Sequence, residues 1–114
     1  MARPARPRRA HPGRLPVRLR PRTEGDLTAC AEALAQVHAA DRYPVDWPDD
    51  PAGWLTPSGL VRAWVAVEEG RVLGHAGLAD APGGVQEVTR LFVTPAARGR
   101  GFAALLLGTV REAA

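Results

Sequence analysis

Lysine is absent from this 114-residue chain, in which all 15 basic residues are arginine. The chain therefore has no Walker-type phosphate motif and no Schiff-base lysine. Cys30 is the only cysteine, which excludes a disulfide framework and a zinc site built on cysteines. No apolar run approaches the roughly 18 residues of a membrane span. From these absences we expect a cytoplasmic protein without a membrane partner.

Acidic residues are absent before Glu24, whereas eight arginines lie within residues 1–22. Prolines at positions 4, 7, 12 and 16 prevent a continuous amphipathic helix there. We interpret residues 1–16 as a disordered Arg/Pro-rich tail, with a transit peptide as the alternative, and residues 17–114 as one domain. Residues 23–114 carry seven arginines and twelve acids, a net charge of −5. This acidic body argues against a nucleic-acid partner.

Apolar spacing predicts one strand and one helix after the tail. Residues 17–20 alternate apolar and charged side chains, as in a strand with one buried face. Thr23 can cap a helix over residues 23–40, with Asp26 in its third position. Cys30 falls on the apolar stripe of this helix, which predicts a buried, unreactive thiol.

Residues 41–57 are rich in proline and predict a loop with one helical turn at most. Tyr43, Trp47 and Trp54 lie within it. Because recognition residues commonly lie on loops, these three rings could form a binding wall. The alternative is that they cover the core.

A hairpin follows, with strands over residues 62–68 and 71–78 and a turn at Glu69-Gly70. His75 lies inside the second of these strands, and we interpret it as structural.

A further strand is predicted over Val85–Val93. Its apolar residues change phase between Val88 and Leu91, so one extra residue must be absorbed if both face the core. We therefore predict a β-bulge near Arg90.

The run Pro95–Ala104 connects this strand to a final helix, whose inner side is predicted to carry Phe102, Leu105, Leu106 and Val110. A strand, a tight glycine loop and a helix start gather unpaired backbone N–H groups and the positive end of a helix dipole. The junction predicts a site for a phosphate-bearing ligand of the nucleotide type.

Three segments resemble the GNAT family of N-acetyltransferases. The family's acyl-coenzyme A motif, Gln or Arg, two residues, Gly, one residue, Gly or Ala, matches Arg98–Ala103. The strand that usually precedes the motif matches Leu91–Pro95, and the hairpin matches Trp64–Gly74. The resemblance implies an α/β (α+β) fold with flanking helices and a mixed, mostly antiparallel sheet of about four strands, lacking the family's C-terminal strands.

The resemblance also implies a function, namely transfer of an acetyl group from acetyl-CoA to a primary amine of a small molecule or peptide. Glu87 is the candidate base, Tyr43, Trp47 and Trp54 are candidates for acceptor binding, and no metal is expected. The loop amides would hold the coenzyme A pyrophosphate and the bulged strand would hold the pantetheine arm. The implied coenzyme-binding residues are Leu91, Phe92, Val93, Arg98, Gly99, Arg100, Gly101, Phe102, Ala103 and Ala104.

GNAT domains continue beyond this helix with a strand that opens the coenzyme slot and a tyrosine that commonly serves as general acid. We therefore expect a C-terminally truncated domain. Two alternatives stay open at this point, a fragment that is active or one that is inactive on its own, and so does a homodimer in which a second copy supplies the missing strand. The alternative function is a non-catalytic acyl-CoA-binding or interaction module. Nucleic-acid binding through the tail and the Arg-Gly-Arg-Gly run is disfavoured by the acidic body.

Overall fold

The computed structural model describes residues 17–114, so the predicted tail over residues 1–16 lies outside it. The elements in chain order are β1 (Arg18–Pro21), α1 (Leu27–Asp41), α2 (Pro51–Trp54), β2 (Leu60–Glu68), β3 (Arg71–Ala81), β4 (Val85–Val93) and α3 (Phe102–Ala113). Within these residues the four strands form one antiparallel sheet in the order β1-β2-β3-β4. The predicted fold class is confirmed.

The start of α1 is fixed by Asp26. Its carboxylate accepts hydrogen bonds from the Thr23 backbone N–H at 2.7 Å and from both terminal nitrogens of Arg20 at 2.8 and 2.9 Å. The Arg20 guanidinium holds the pKa of this carboxyl well below its usual range. The predicted cap is present, but one 3₁₀ turn, Glu24–Asp26, separates Thr23 from α1.

The β2–β3 hairpin turns at Glu69 and Gly70, as predicted. Both residues have positive φ, 53° and 76°, the combination that a two-residue type I′ turn requires. The strands are longer than predicted, because β2 begins at Leu60 and β3 ends at Ala81.

Both faces of the sheet are covered. The face under α1 buries Cys30, Ala33, Leu34, Val37, Leu55, Val65, Val72 and Phe92. The face under α3 buries Trp64, Ala76, Leu78, Val93, Ala97, Phe102, Leu106 and Val110. Burial raises the pKa of the Cys30 thiol to about 11, in agreement with an unreactive core cysteine.

The prediction that Leu105 lies on the inner side of α3 is wrong, because its side chain is 54% exposed. Phe102, Leu106 and Val110 follow one another at intervals of four and fill the inner face. Leu105 precedes Leu106 by one residue, which turns it about 100° around the helix axis.

Gly74 lies where β3 passes beneath α3. A Cβ there would lie 2.9 Å from Leu106 Cδ1 and 3.2 Å from the Phe92 carbonyl oxygen. We expect Gly74→Ala to lower the free energy of unfolding by about 1–3 kcal/mol, because packed backbone must move. Gly108→Ala on α3, where nothing lies within 4 Å of the added Cβ, should instead raise it by up to about 1 kcal/mol. Denaturant titration measures both, and changes of the same sign would contradict this packing.

Candidate functional site

β4 contains the bulge that the change of apolar phase predicts. His75 of β3 pairs with Phe92, whereas Gly77 pairs with Thr89, so β4 advances three residues while β3 advances two. Arg90 absorbs the extra residue with a φ of 54°. For a residue other than glycine this left-handed conformation costs on the order of 1 kcal/mol or more, and it persists only where neighbouring contacts enforce it.

His75 lies beside the bulge and is fully buried. Its Nδ1 donates to the Arg90 carbonyl oxygen at 2.8 Å, and its Nε2 accepts from Arg22 Nη1 at 2.9 Å. A guanidinium can only donate, which fixes the ring as the neutral tautomer protonated on Nδ1. The ring also stacks on Phe92, with centroids 5.3 Å apart and planes inclined by 10°.

The Arg90 side chain binds the end of α2. Its Nε donates to the Trp54 carbonyl oxygen at 2.7 Å, and its Cζ lies 4.0 Å from the centroid of the Trp54 ring. Tyr43 meets Trp54 edge-on, at 5.7 Å and 77°, and burial raises the pKa of its phenol. The structure therefore brings together two of the three predicted acceptor-binding aromatics, and it does so beside the bulge.

Trp47 lies against a different partner. Its ring is tilted by 54° against His38 at 5.4 Å, and the residue is 40% exposed. His38 Nδ1 donates to the Pro44 carbonyl oxygen at 2.7 Å, which ties the loop to α1. The role of Trp47 in acceptor binding stays a prediction.

Glu87 lies on β4 on the N-terminal side of the bulge and pairs with Ala79. Paired residues of antiparallel strands share a face, and alternation along β3 gives Ala79 the face of His75. Glu87 therefore lies on the face covered by α1 and α2. It is exposed, and within residues 17–114 no hydrogen bond or ion pair engages its carboxylate. Its catalytic role stays a prediction.

The loop between β4 and α3 presents a row of backbone amides. Gly99 and Gly101 have φ angles of 83° and 84°, and the first N–H of α3 with a backbone acceptor is that of Leu105, which bonds Gly101 at 3.1 Å. No acceptor in the described part of the chain takes the amides of residues 99–104. The loop borders a cavity of about 330 Å³, lined by Val93, Ala97, Arg98, Gly99, Gly101, Phe102, Ala103 and Ala104.

The side chains of the two loop arginines are bound to the protein. Arg98 donates to the Val93 carbonyl oxygen from Nε at 3.3 Å and from Nη2 at 3.2 Å, and it pairs with Asp41 at 2.5 Å. Arg100 makes a two-pronged pair with Glu68, at 3.1 and 3.0 Å. The loop is thereby joined to α1 through one arginine and to β2 through the other.

The three predicted coenzyme-binding residues at the end of β4 divide between the two faces of the sheet. Leu91 and Val93 pack in the cluster under α3, and Phe92 packs in the cluster under α1. β4 forms one edge of the sheet built by residues 17–114. Its outer backbone groups are therefore available to a ligand along this edge.

The sequence profile of the acetyltransferase (GNAT) family matches residues 26–114. The chain belongs to this family. Comparison with curated proteins finds no match.

Solved structures of GNAT acetyltransferases share the fold. A Staphylococcus aureus Mu50 member superposes with a TM-score of 0.71 at 15% identity, over 86% of this chain and 66% of that one. A Brucella melitensis member, solved in complex with acetyl-CoA, gives 0.61 at 22%, over 85% and 70%. A Trypanosoma brucei acetyltransferase gives 0.62 at 24%, over 85% and 73%. The chain thus spans between 66% and 73% of the length of these three proteins.

No helix in residues 17–114 combines the length and the apolar character needed to cross a membrane. The same residues contain no group of three or more His, Cys, Asp or Glu side chains that could hold a metal ion.

The free energy of unfolding should depend on the protonation of His75. Burial, together with the charges of Arg22 and Arg90, lowers the pKa of His75 from 6.5 to about 4, against the smaller opposing effect of its hydrogen bond to the Arg90 carbonyl. Between these values the unfolded chain binds the proton more strongly, so stability should fall as the pH drops from 6.5 to 4, by on the order of 3 kcal/mol. Denaturant titrations of wild type and His75→Phe measure this contribution. Identical pH profiles would contradict it.

Proposed function

We propose that this GNAT chain is an N-acetyltransferase that moves an acetyl group from acetyl-CoA to a primary amine of a small molecule or peptide. The observation that carries the proposal is the row of amides over residues 99–104, which opens on a cavity directly after a bulged strand. The acetyl-CoA complex of the similar Brucella melitensis protein supports the choice of co-substrate.

The loop residues fit a pyrophosphate. Cβ atoms at Gly99 and Gly101 would meet nothing within 4 Å, so at these positions the backbone faces open space that a side chain would obstruct. Each charge–dipole contact at a helix start contributes roughly 0.3–1 kcal/mol, and several amides acting together are needed for useful affinity. Arg98 and Arg100 support this arrangement by holding the loop rather than by reaching the anion.

Glu87 is the proposed base. It accepts a proton from the acceptor's ammonium group, directly or through water, which frees the nitrogen lone pair to attack the thioester carbon. The new C–N bond forms as the C–S bond breaks, and the departing thiolate takes up a proton. An exposed carboxylate on the strand that carries the bulge suits this role.

The acceptor is proposed to approach past Tyr43 and Trp54, the two aromatics grouped at the bulge. Three exposed acids lie in the same connection between α1 and α2, Asp46, Asp49 and Asp50. Asp50 already caps α2 through the Gly53 N–H. The remaining carboxylates favour a positively charged amine over an anionic one.

Coenzyme binding tests the loop. We expect millimolar coenzyme A to raise the melting temperature of the wild-type chain by several degrees, since a ligand of the native state alone stabilises it. Gly99→Val should abolish this shift, because its side chain enters the space of the phosphates. Gly84→Val is the matched control, because Gly84 also has a positive φ, 77°, and open surroundings but lies at the other end of β4. Equal coenzyme-induced shifts of the melting temperature in the two variants would contradict coenzyme binding at the loop amides.

Thiol release with a panel of amines tests the chemistry. Glu87→Gln should lower kcat by about 10²–10⁴-fold and leave coenzyme binding unchanged, because the residue lies outside the loop. Glu112→Gln on the exposed end of α3 is the control for loss of a carboxylate. Coenzyme binding without thiol release from the wild-type chain would instead identify a non-catalytic acyl-CoA-binding module.

A further inference from the structure

We propose that His75 is a positioning residue for acetyl transfer, which acts by holding the Arg90 carbonyl and with it the bulge of β4. This inference rests on the proposed acetyltransferase function. His75 contacts neither the loop amides nor Glu87 in the structure, so its effect on the reaction passes through the backbone of β4.

The bulge leaves a carbonyl that needs a partner. A bulge interrupts the ladder of hydrogen bonds between two strands, and a buried backbone acceptor without a donor is costly. The Nδ1 of His75 supplies that donor to Arg90 at 2.8 Å. Because His75 is fully buried, water has no direct route to replace the imidazole.

The ring is held in one orientation by a second contact. Arg22 Nη1 donates to Nε2 of His75, and the same guanidinium is fixed by the Leu55 carbonyl oxygen at 2.8 Å and the Thr56 hydroxyl at 2.7 Å. A flipped ring would turn a C–H toward the Arg22 donor and would lose both hydrogen bonds. Arg22 therefore keeps the Nδ1 proton directed at the bulge.

The bulge separates the two halves of the proposed site. Glu87, the proposed base, precedes Arg90, and Phe92, in the segment proposed to hold the pantetheine arm, follows it. A change of one residue in strand register exchanges the faces of all the residues beyond it. The position of the bulge therefore sets how the base faces the thioester, and His75 holds both Arg90 and, by stacking, Phe92.

Two amide substitutions separate the hydrogen bonds of His75. The carboxamide N–H of His75→Asn lies near the Nδ1 position and can still donate to the Arg90 carbonyl. The longer side chain of His75→Gln reaches the Nε2 position, where its carboxamide oxygen accepts from Arg22 and the Arg90 carbonyl is left without its donor. We expect kcat for acetyl transfer to fall about tenfold or more in His75→Gln, with a smaller change in KM for acetyl-CoA, and to stay within about threefold of wild type in His75→Asn.

Hydrogen exchange supplies a readout that does not depend on turnover. In His75→Gln the amides of residues 90–92 should exchange about tenfold faster or more, while those in the centre of β2 keep their protection. His75→Asn should keep the wild-type pattern at the bulge. Val110→Ala removes buried packing on the opposite face, in the last turn of α3, and controls for general loss of stability.

The outcomes distinguish the two proposals. Active wild type with equal losses of kcat in the Asn and Gln variants, or an equal loss in Val110→Ala, overturns the role of His75 and leaves the acetyltransferase proposal standing. Unchanged exchange at residues 90–92 in His75→Gln overturns it too. Wild type that binds coenzyme A but transfers no acetyl group overturns the proposed function, and with it a positioning role in transfer.

Discussion

The one extra residue in β4 is the constraint on which the site depends. Arg90 takes a left-handed conformation to absorb it, and both of its ends are then bound: the carbonyl by His75, the guanidinium by the Trp54 carbonyl and ring. Strain of this kind survives only where its surroundings over-determine it. The contacts that hold the bulge also bring Trp54 and Tyr43 beside β4, so one local irregularity organises the strand and the aromatic loop together.

The end of α2 is held by two cations on consecutive carbonyls. Arg90 binds the carbonyl of Trp54, and Arg22 binds that of Leu55. The carbonyls at a helix end lack helical partners and carry partial negative charge, so guanidinium donors stabilise them. A helix of four residues cannot persist by its own hydrogen bonds. These contacts therefore hold α2 against the sheet. Arg22 also donates a hydrogen bond to His75, so the same side chain contacts both α2 and His75.

The sequence pattern was sufficient to predict features that depend only on residues close together in the chain. The phase change between Val88 and Leu91 predicted the bulge, and Glu69-Gly70 predicted the hairpin turn. The approach of His75 to Arg90 joins residues fifteen positions apart, and that of Arg90 to Trp54 joins residues thirty-six apart. The spacing of apolar residues along the sequence does not predict such pairs, since they form only when the sheet and α2 pack together. The prediction for Leu105 was wrong for a related reason, because apolar character alone does not show which side of a helix packs against the sheet.

The two arginine side chains of the loop hold it in place, and they are not free to bind an anion as well. Arg98 is neutralised by Asp41 and Arg100 by Glu68, so both guanidiniums hold the loop to its neighbours. Under the proposed function, the amides of residues 99–104 are oriented before the coenzyme arrives, which reduces the ordering cost of binding. Free arginines would attract an anion over a longer range, but they would leave the loop to be ordered by it. In the proposed site of this acidic body, preformed backbone amides would hold a phosphate-bearing ligand more selectively than free arginine side chains.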